Sequence, residues 1–125
     1  MSLAQRFQQA RGDERLAILE GFHALKHALR FGAEVELVAA ADPEALERLA
    51  TELAPDLAGR FRALAGAPVP AEQLATLMPH VPYTRVLAIA RRPPFVRAQL
   101  LDAPLVLLED PRDLGNVGAV VRVAA

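Results

Sequence analysis

The closing stretch of the chain, residues 105–125, reads LVLLEDPRDLGNVGAVVRVAA and asks for a strand, a loop and a helix in quick succession. Residues 105–108 are an unbroken apolar run that Glu109, Asp110 and Pro111 stop. A short apolar run without alternation suits a strand covered on both faces, as in a parallel sheet flanked by helices. Residues 111–115 carry turn chemistry. Asn116 can cap a helix, its side chain accepting from a free backbone N–H of the first turn. In that helix Val117, Val120, Val121 and Ala124 recur at one-face spacing, while Gly118, Arg122 and Ala125 fall on another face. Arg122 is the only charge after Asn116, and Gly118 one turn earlier leaves space over which a guanidinium can lie. Ligands of open parallel sheets gather beyond the carboxyl ends of the strands. A guanidinium there suits phosphate or carboxylate, because its fork of donors matches their oxygens. A lone arginine near a helix end also serves as a solvated residue or a complement to the helix dipole, and spacing alone leaves both readings open.

Upstream, short elements alternate. Residues 3–10 suit a helix that Gly12 and Asp13 break, and residues 1–3 resemble leftovers of cloning. Residues 16–19 form a short apolar strand, residues 22–31 a helix, and residues 35–40 a second strand. Asp42 can cap the next helix, with Pro43 at its first position, and Pro55 ends it. Helices over residues 56–65 and 71–78 and a strand over residues 83–90 follow, the strand burying Val86, Leu87 and Ile89. Arg91-Arg92-Pro93-Pro94 then stops it. This order predicts an α/β layered domain over residues 1–96, a linker over 97–104 with room for a helical turn, and a second unit over 105–125. The second unit holds one strand, ends on an apolar helix and shows no C-cap, so it reads as the opening of a longer domain.

The helix over residues 22–31 is the best patterned. Phe22, Leu25 and Leu29 make its apolar side. His23, Lys26, His27 and Arg30 recur at i, i+3, i+4, i+7 and make a stripe that is wholly basic or able to become so. Gly32 is placed to cap its end. Such a stripe is usually the solvated face of an amphipathic helix; the alternative is a surface that meets RNA phosphates, to which the lack of any acid from Phe22 to Gly32 adds some weight.

The chain has 125 residues, is 53% hydrophobic and carries a net charge of −1, so any nucleic-acid partner has to be met by local basic patches. It contains no cysteine, which rules out disulfides and thiolate metal sites and fits a reducing cytoplasm. No secretory signal is visible, and no segment approaches the roughly 20 apolar residues a membrane span needs. Nothing points to a metal centre.

Two stretches resemble a known family. Asp110-Pro111, then Asn116-Val117-Gly118-Ala119, then Arg122 is similar to the first motif of the SpoU (TrmH-like) RNA ribose 2′-O-methyltransferases of the knotted SPOUT superfamily. Val123 departs from it, standing where that family has a small hydroxyl residue. Residues 19–25, with Ala28, Leu29 and Gly32, resemble the start of the substrate-binding domain that precedes the catalytic domain in many of these enzymes. The resemblance implies a three-layer α/β/α N-terminal domain like that of ribosomal proteins that bind kinked RNA. The first β-α unit of a SPOUT trefoil-knot domain would follow it. It also implies S-adenosylmethionine as cofactor, its site lying outside this chain, with rRNA or tRNA as substrate and a homodimer as the working form. Arg122 would act at the target ribose and Asn116 would order the active-site entrance. A guanidinium, being a very weak acid, polarises a hydroxyl through a phosphate more readily than it deprotonates one. Glu20 is carried over as a motif position only, a carboxylate at a helix start serving equally well. Two other classes stay in view: a non-catalytic RNA-binding module of the ribosomal-protein type, and a small-molecule α/β protein using residues 115–118 as a phosphate loop.

Overall fold

The apolar run between Arg85 and Arg91 becomes the middle of a three-stranded sheet. The computed structural model describes residues 1–124. In chain order they form α1 (Leu3–Gly12), β1 (Leu16–Glu20), α2 (Phe22–Arg30), β2 (Val35–Ala40), α3 (Pro43–Leu53), α4 (Ala58–Leu64), α5 (Ala71–Leu77), β3 (Val86–Arg91) and α6 (Leu114–Ala124). Single 3-10 turns occupy Pro55–Leu57 and Arg97–Leu101. The chain divides into two compact units, Met1–Pro94 and Phe95–Ala125.

In the first unit the strand order is β1-β3-β2, and β3 runs antiparallel to both neighbours. Its register pairs Leu16 with Arg91 and Glu20 with Leu87 on one side, Val35 with Ala90 and Ala40 with Val86 on the other. A shift between Val35 and Leu37 bulges β2 at Glu36. Since β1 and β2 both oppose β3, they are parallel to each other, with α2 as their crossover. This is a split β-α-β unit closed by a third strand. Alternation along β3 builds two cores. Val86 and Ala88 pack with Phe22, Leu25 and Leu29 of α2, Leu46 and Ala50 of α3 and Phe61 of α4. Leu87 and Ile89 pack with Phe7 and Ala10 of α1 and Leu74 and Leu77 of α5. Helices thus cover both faces of the sheet. The protein is a mixed α/β fold.

Several boundaries follow local chemistry. Ser2 starts α1: its hydroxyl accepts from Gln5 N at 3.2 Å while Gln5 Oε1 accepts from Ser2 N at 2.8 Å, a capping box. Asp42 caps α3 as expected, its Oδ1 accepting from Ala45 N at 3.0 Å, with Pro43 opening the helix. The expected helix over residues 56–65 is split, the Pro55–Leu57 turn preceding α4. The third strand starts at Val86 rather than at residue 83, because residues 82–85 form a tight turn in which Arg85 N donates to Pro82 O at 2.8 Å.

Gly21 is required where β1 meets α2. Its φ of 93° and ψ of 169° lie in a region essentially reserved for glycine. A Cβ there would stand 3.4 Å from both Pro82 Cβ and Thr84 Oγ1. Gly21→Ala is therefore expected to lower stability by about 1–3 kcal/mol, read as a shift in the urea midpoint. Gly32, at φ 79° in open space, is the comparator. Gly32→Ala should cost less, and equal costs would mean that positive φ alone, not the extended ψ at Gly21, sets the penalty.

The second unit departs from expectation. Residues 105–108 are not a strand. Leu105, Val106, Leu107 and Leu108 are 55%, 57%, 83% and 44% exposed. An apolar run becomes a strand only where a neighbour completes its hydrogen-bond ladder, and within this unit's described residues there is no strand to do so. The cap of α6 is Asp113, not Asn116: Asp113 Oδ1 accepts from Asn116 N at 3.1 Å and its carbonyl accepts from Val117 N at 3.1 Å. Gly115 and Gly118 lie inside α6, so residues 115–118 are no phosphate loop. Ala125, placed by spacing on Arg122's face, lies outside the described residues.

Candidate nucleic-acid interface

The α2 stripe is held at both ends. Gly21 N donates to Val86 O at 2.9 Å and Phe22 N donates to Thr84 Oγ1 at 3.0 Å, so the first turn is tied to β3 and to the turn before it. At the other end Ala33 N donates to Ala28 O at 2.8 Å and Gly32 N to Leu29 O at 3.2 Å, a Schellman closure with glycine at its left-handed position. Arg60 Nη1 also donates to Leu29 O at 2.9 Å. Phe22, Leu25 and Leu29 are each 1% exposed. That burial fixes the rotation of the helix and turns His23, His27 and Arg30 outward, with Lys26 half-buried among them.

The four predicted contact residues then differ. Arg30 is not available as an isolated cation: its Nη2 lies 2.9 Å from Asp56 Oδ1. Asp56 lies within the Pro55–Leu57 turn, which touches α2, a proximity set by the fold. Among the described residues His23, Lys26 and His27 make no ion pair. Lys26 Nζ lies 6.0 Å from the Phe22 ring centroid, at the edge of cation–π reach. The His23 ring meets Phe22 edge-on at 5.6 Å. His27 stacks on Phe31 with centroids 6.4 Å apart and planes 18° apart.

Phe31 is the residue that periodicity missed. It follows α2, falls off the Phe22, Leu25, Leu29 stripe and is 81% exposed. Its sequence signal was that same misfit: an aromatic at a position facing away from the core. An exposed ring beside basic side chains offers a base both a π-face and a nearby charge. Glu20, the other motif position, ends β1 in an exposed place opposite Leu87.

In the second unit, Asn116 and Arg122 are both exposed on α6. They do not converge. A helix turns about 100° and rises about 1.5 Å per residue, so their six-residue step leaves them about 9 Å apart along the axis and about 120° apart around it. Arg122 makes no ion pair among the described residues. Asp110 has a left-handed φ of 43° and meets Arg112 at 3.5 Å. Among the described residues no cluster of metal-ligating side chains occurs and no helix is long and apolar enough to cross a membrane. Comparisons of the chain with protein-family models, with curated proteins and with solved structures found no match.

Proposed function

We propose that the first unit recognises RNA through the α2 face. On this reading the chain serves S-adenosylmethionine-dependent 2′-O-methylation of ribose in rRNA or tRNA, the second unit supplying the segment that approaches the target ribose. The observation that carries the first half is the row His23, Lys26, His27 and Phe31, where one cation and two imidazoles, with no acidic partner among the described residues, stand beside an exposed ring. The second half is supported by the run from Asp110 to Arg122 and by the exposure of Arg122 at the end of α6. Residues 110–124 are exposed or half-exposed and do not enclose a cofactor, so no contact with it is assigned to them. The exposure of residues 105–108 favours a second reading, an RNA-binding module without catalysis.

Binding of labelled rRNA and tRNA fragments, measured across a salt series, tests the first half. Lys26→Glu should weaken binding and make the log–log salt slope shallower by about 0.7–0.9 for each phosphate that the side chain no longer neutralises. Phe31→Ala should weaken binding by about fivefold or more at every salt concentration and leave the slope alone, since stacking releases no counterion. Wild-type affinity and slope in both variants would reduce the stripe to a solvated helix face.

A further inference from the structure

The α2 face leaves one large feature of the first unit unused. A groove of about 940 Å³ opens at the carboxyl end of β2, between α3 and the turn that leads into β3. That volume is at the upper end of the roughly 300–1,000 Å³ usual for small-ligand sites. Its walls are apolar, with Leu46 and Leu49 of α3 facing Val69, Val81 and Pro82. Its rim carries Tyr83 and Arg85. Tyr83 is 100% exposed. Arg85 is exposed, has no carboxylate within ion-pair distance among the described residues, and holds a left-handed φ of 52°.

That backbone strain belongs to a turn tied down on three sides. Arg85 N donates to Pro82 O at 2.8 Å, Ala41 N donates to Arg85 O at 3.1 Å, and Thr84 Oγ1 accepts from Phe22 N at 3.0 Å. A non-glycine residue is kept at positive φ only where its surroundings over-determine it. Here the result is a fixed corner that lifts one aromatic ring clear of the protein. The third tie joins that corner to Phe22, the residue before His23. On the opposite wall, Asp42 uses Oδ1 to cap α3. Its other oxygen remains an acceptor.

We propose that this groove holds one unstacked RNA base, with Tyr83 stacked on it and Arg85 on the adjoining phosphate. The inference rests on the RNA reading given above and extends it by adding a groove that receives a base. Proteins that read splayed RNA do so by stacking loop bases on aromatic side chains and pairing their edges with polar groups. The groove supplies each part: a free ring, an unpaired cation for phosphate, a carboxylate oxygen for an exocyclic amino group, and apolar walls to exclude water. An apolar peptide segment would make no use of Arg85 or Asp42.

The experiment uses an RNA hairpin with a single bulged 2-aminopurine, titrated with the unaltered chain and with Tyr83→Ala, Tyr83→Phe, Arg85→Gln and Lys26→Glu. The unaltered chain should change the 2-aminopurine fluorescence as it binds. Tyr83→Ala should abolish that change and raise Kd by about tenfold to a hundredfold, the size of one base–aromatic stack. Tyr83→Phe should keep both. Arg85→Gln should flatten the salt slope, and Lys26→Glu should weaken binding yet retain the fluorescence change at saturation. Tyr83 touches no core, so its variants should melt like the unaltered chain. Unaltered affinity and fluorescence in Tyr83→Ala overturn the groove while leaving the α2 reading intact. An unaltered chain that binds no RNA overturns both.

Discussion

Phe22→Ala should destabilise the first unit by about 3–5 kcal/mol, the usual cost of deleting a buried phenyl ring. Phe22 is 1% exposed and its ring stacks on Phe61 with centroids 5.2 Å apart and planes 27° apart. It is therefore the point at which α2 and α4 hold each other over Val86 and Ala88. The substitution removes the apolar packing and also an aromatic pair, which adds about 0.5–1.5 kcal/mol beyond buried area. Domains of this kind have about 5–15 kcal/mol in all. With a urea dependence of about 1–3 kcal/mol per molar, the midpoint should fall by about 2 M. Phe22→Leu keeps most of the volume and should cost less than about 1.5 kcal/mol. It also takes the ring from beneath Lys26, which makes it the better variant for separating fold from binding. A loss under about 1 kcal/mol for Phe22→Ala would mean that the helical layer closes over the gap, and that α2's rotation is not set by this residue.

The contrast between two apolar runs shows how far the sequence could be read. Residues 86–90 and residues 105–108 look alike, short and without alternation. The first becomes a central strand because β1 and β2 offer ladders on both sides. The second finds no such partner in its unit and stays exposed. Nothing within either run tells them apart, since pairing belongs to the neighbours. Local chemistry was more informative. The Asp42–Pro43 cap, the Gly32 closure and the Phe22, Leu25, Leu29 stripe follow from one or two turns of chain, and all three form as expected. Asp113 was the exception, because two residues near one helix start both had capping side chains and the glycine between them suggested a later start. The stripe His23, Lys26, His27, Arg30 was legible as a face, but Arg30's partner Asp56 lies 26 residues away and only the fold brings it within 2.9 Å. Phe31 signalled its exposure by falling off the apolar stripe, whereas Tyr83 stood in an expected strand and is exposed because residues 82–85 form a turn instead.

On the proposed methyltransferase reading, Arg122→Ala should reduce methyl transfer by about a hundredfold to a thousandfold, with RNA affinity little changed. The size is that of removing one charge-stabilising donor from a reacting oxyanion. A guanidinium stays protonated across any working pH, so under the proposed role it cannot remove the ribose proton. What it can do is hold the phosphate next to that ribose in a two-pronged grip and stabilise negative charge as it grows on the 2′-oxygen. The exposure of Arg122 on α6, and its lack of a carboxylate partner among the described residues, leave the fork open for such a phosphate. Arg122→Lys keeps the charge but not the fork, and should recover only part of the rate. The shape of the pH–rate profile should be the same in all three proteins, because under the proposed role another group removes the proton. A rate for Arg122→Ala within about threefold of the original would remove Arg122 from the reaction. An altered pH profile at reduced rate would instead make it a partner of the true base. Because Asn116 stands about 120° away around the same helix, Asn116→Ala should act separately from Arg122→Ala. Their effects on the rate should multiply, and a double variant no slower than Arg122→Ala alone would show the two side chains working on one group after all.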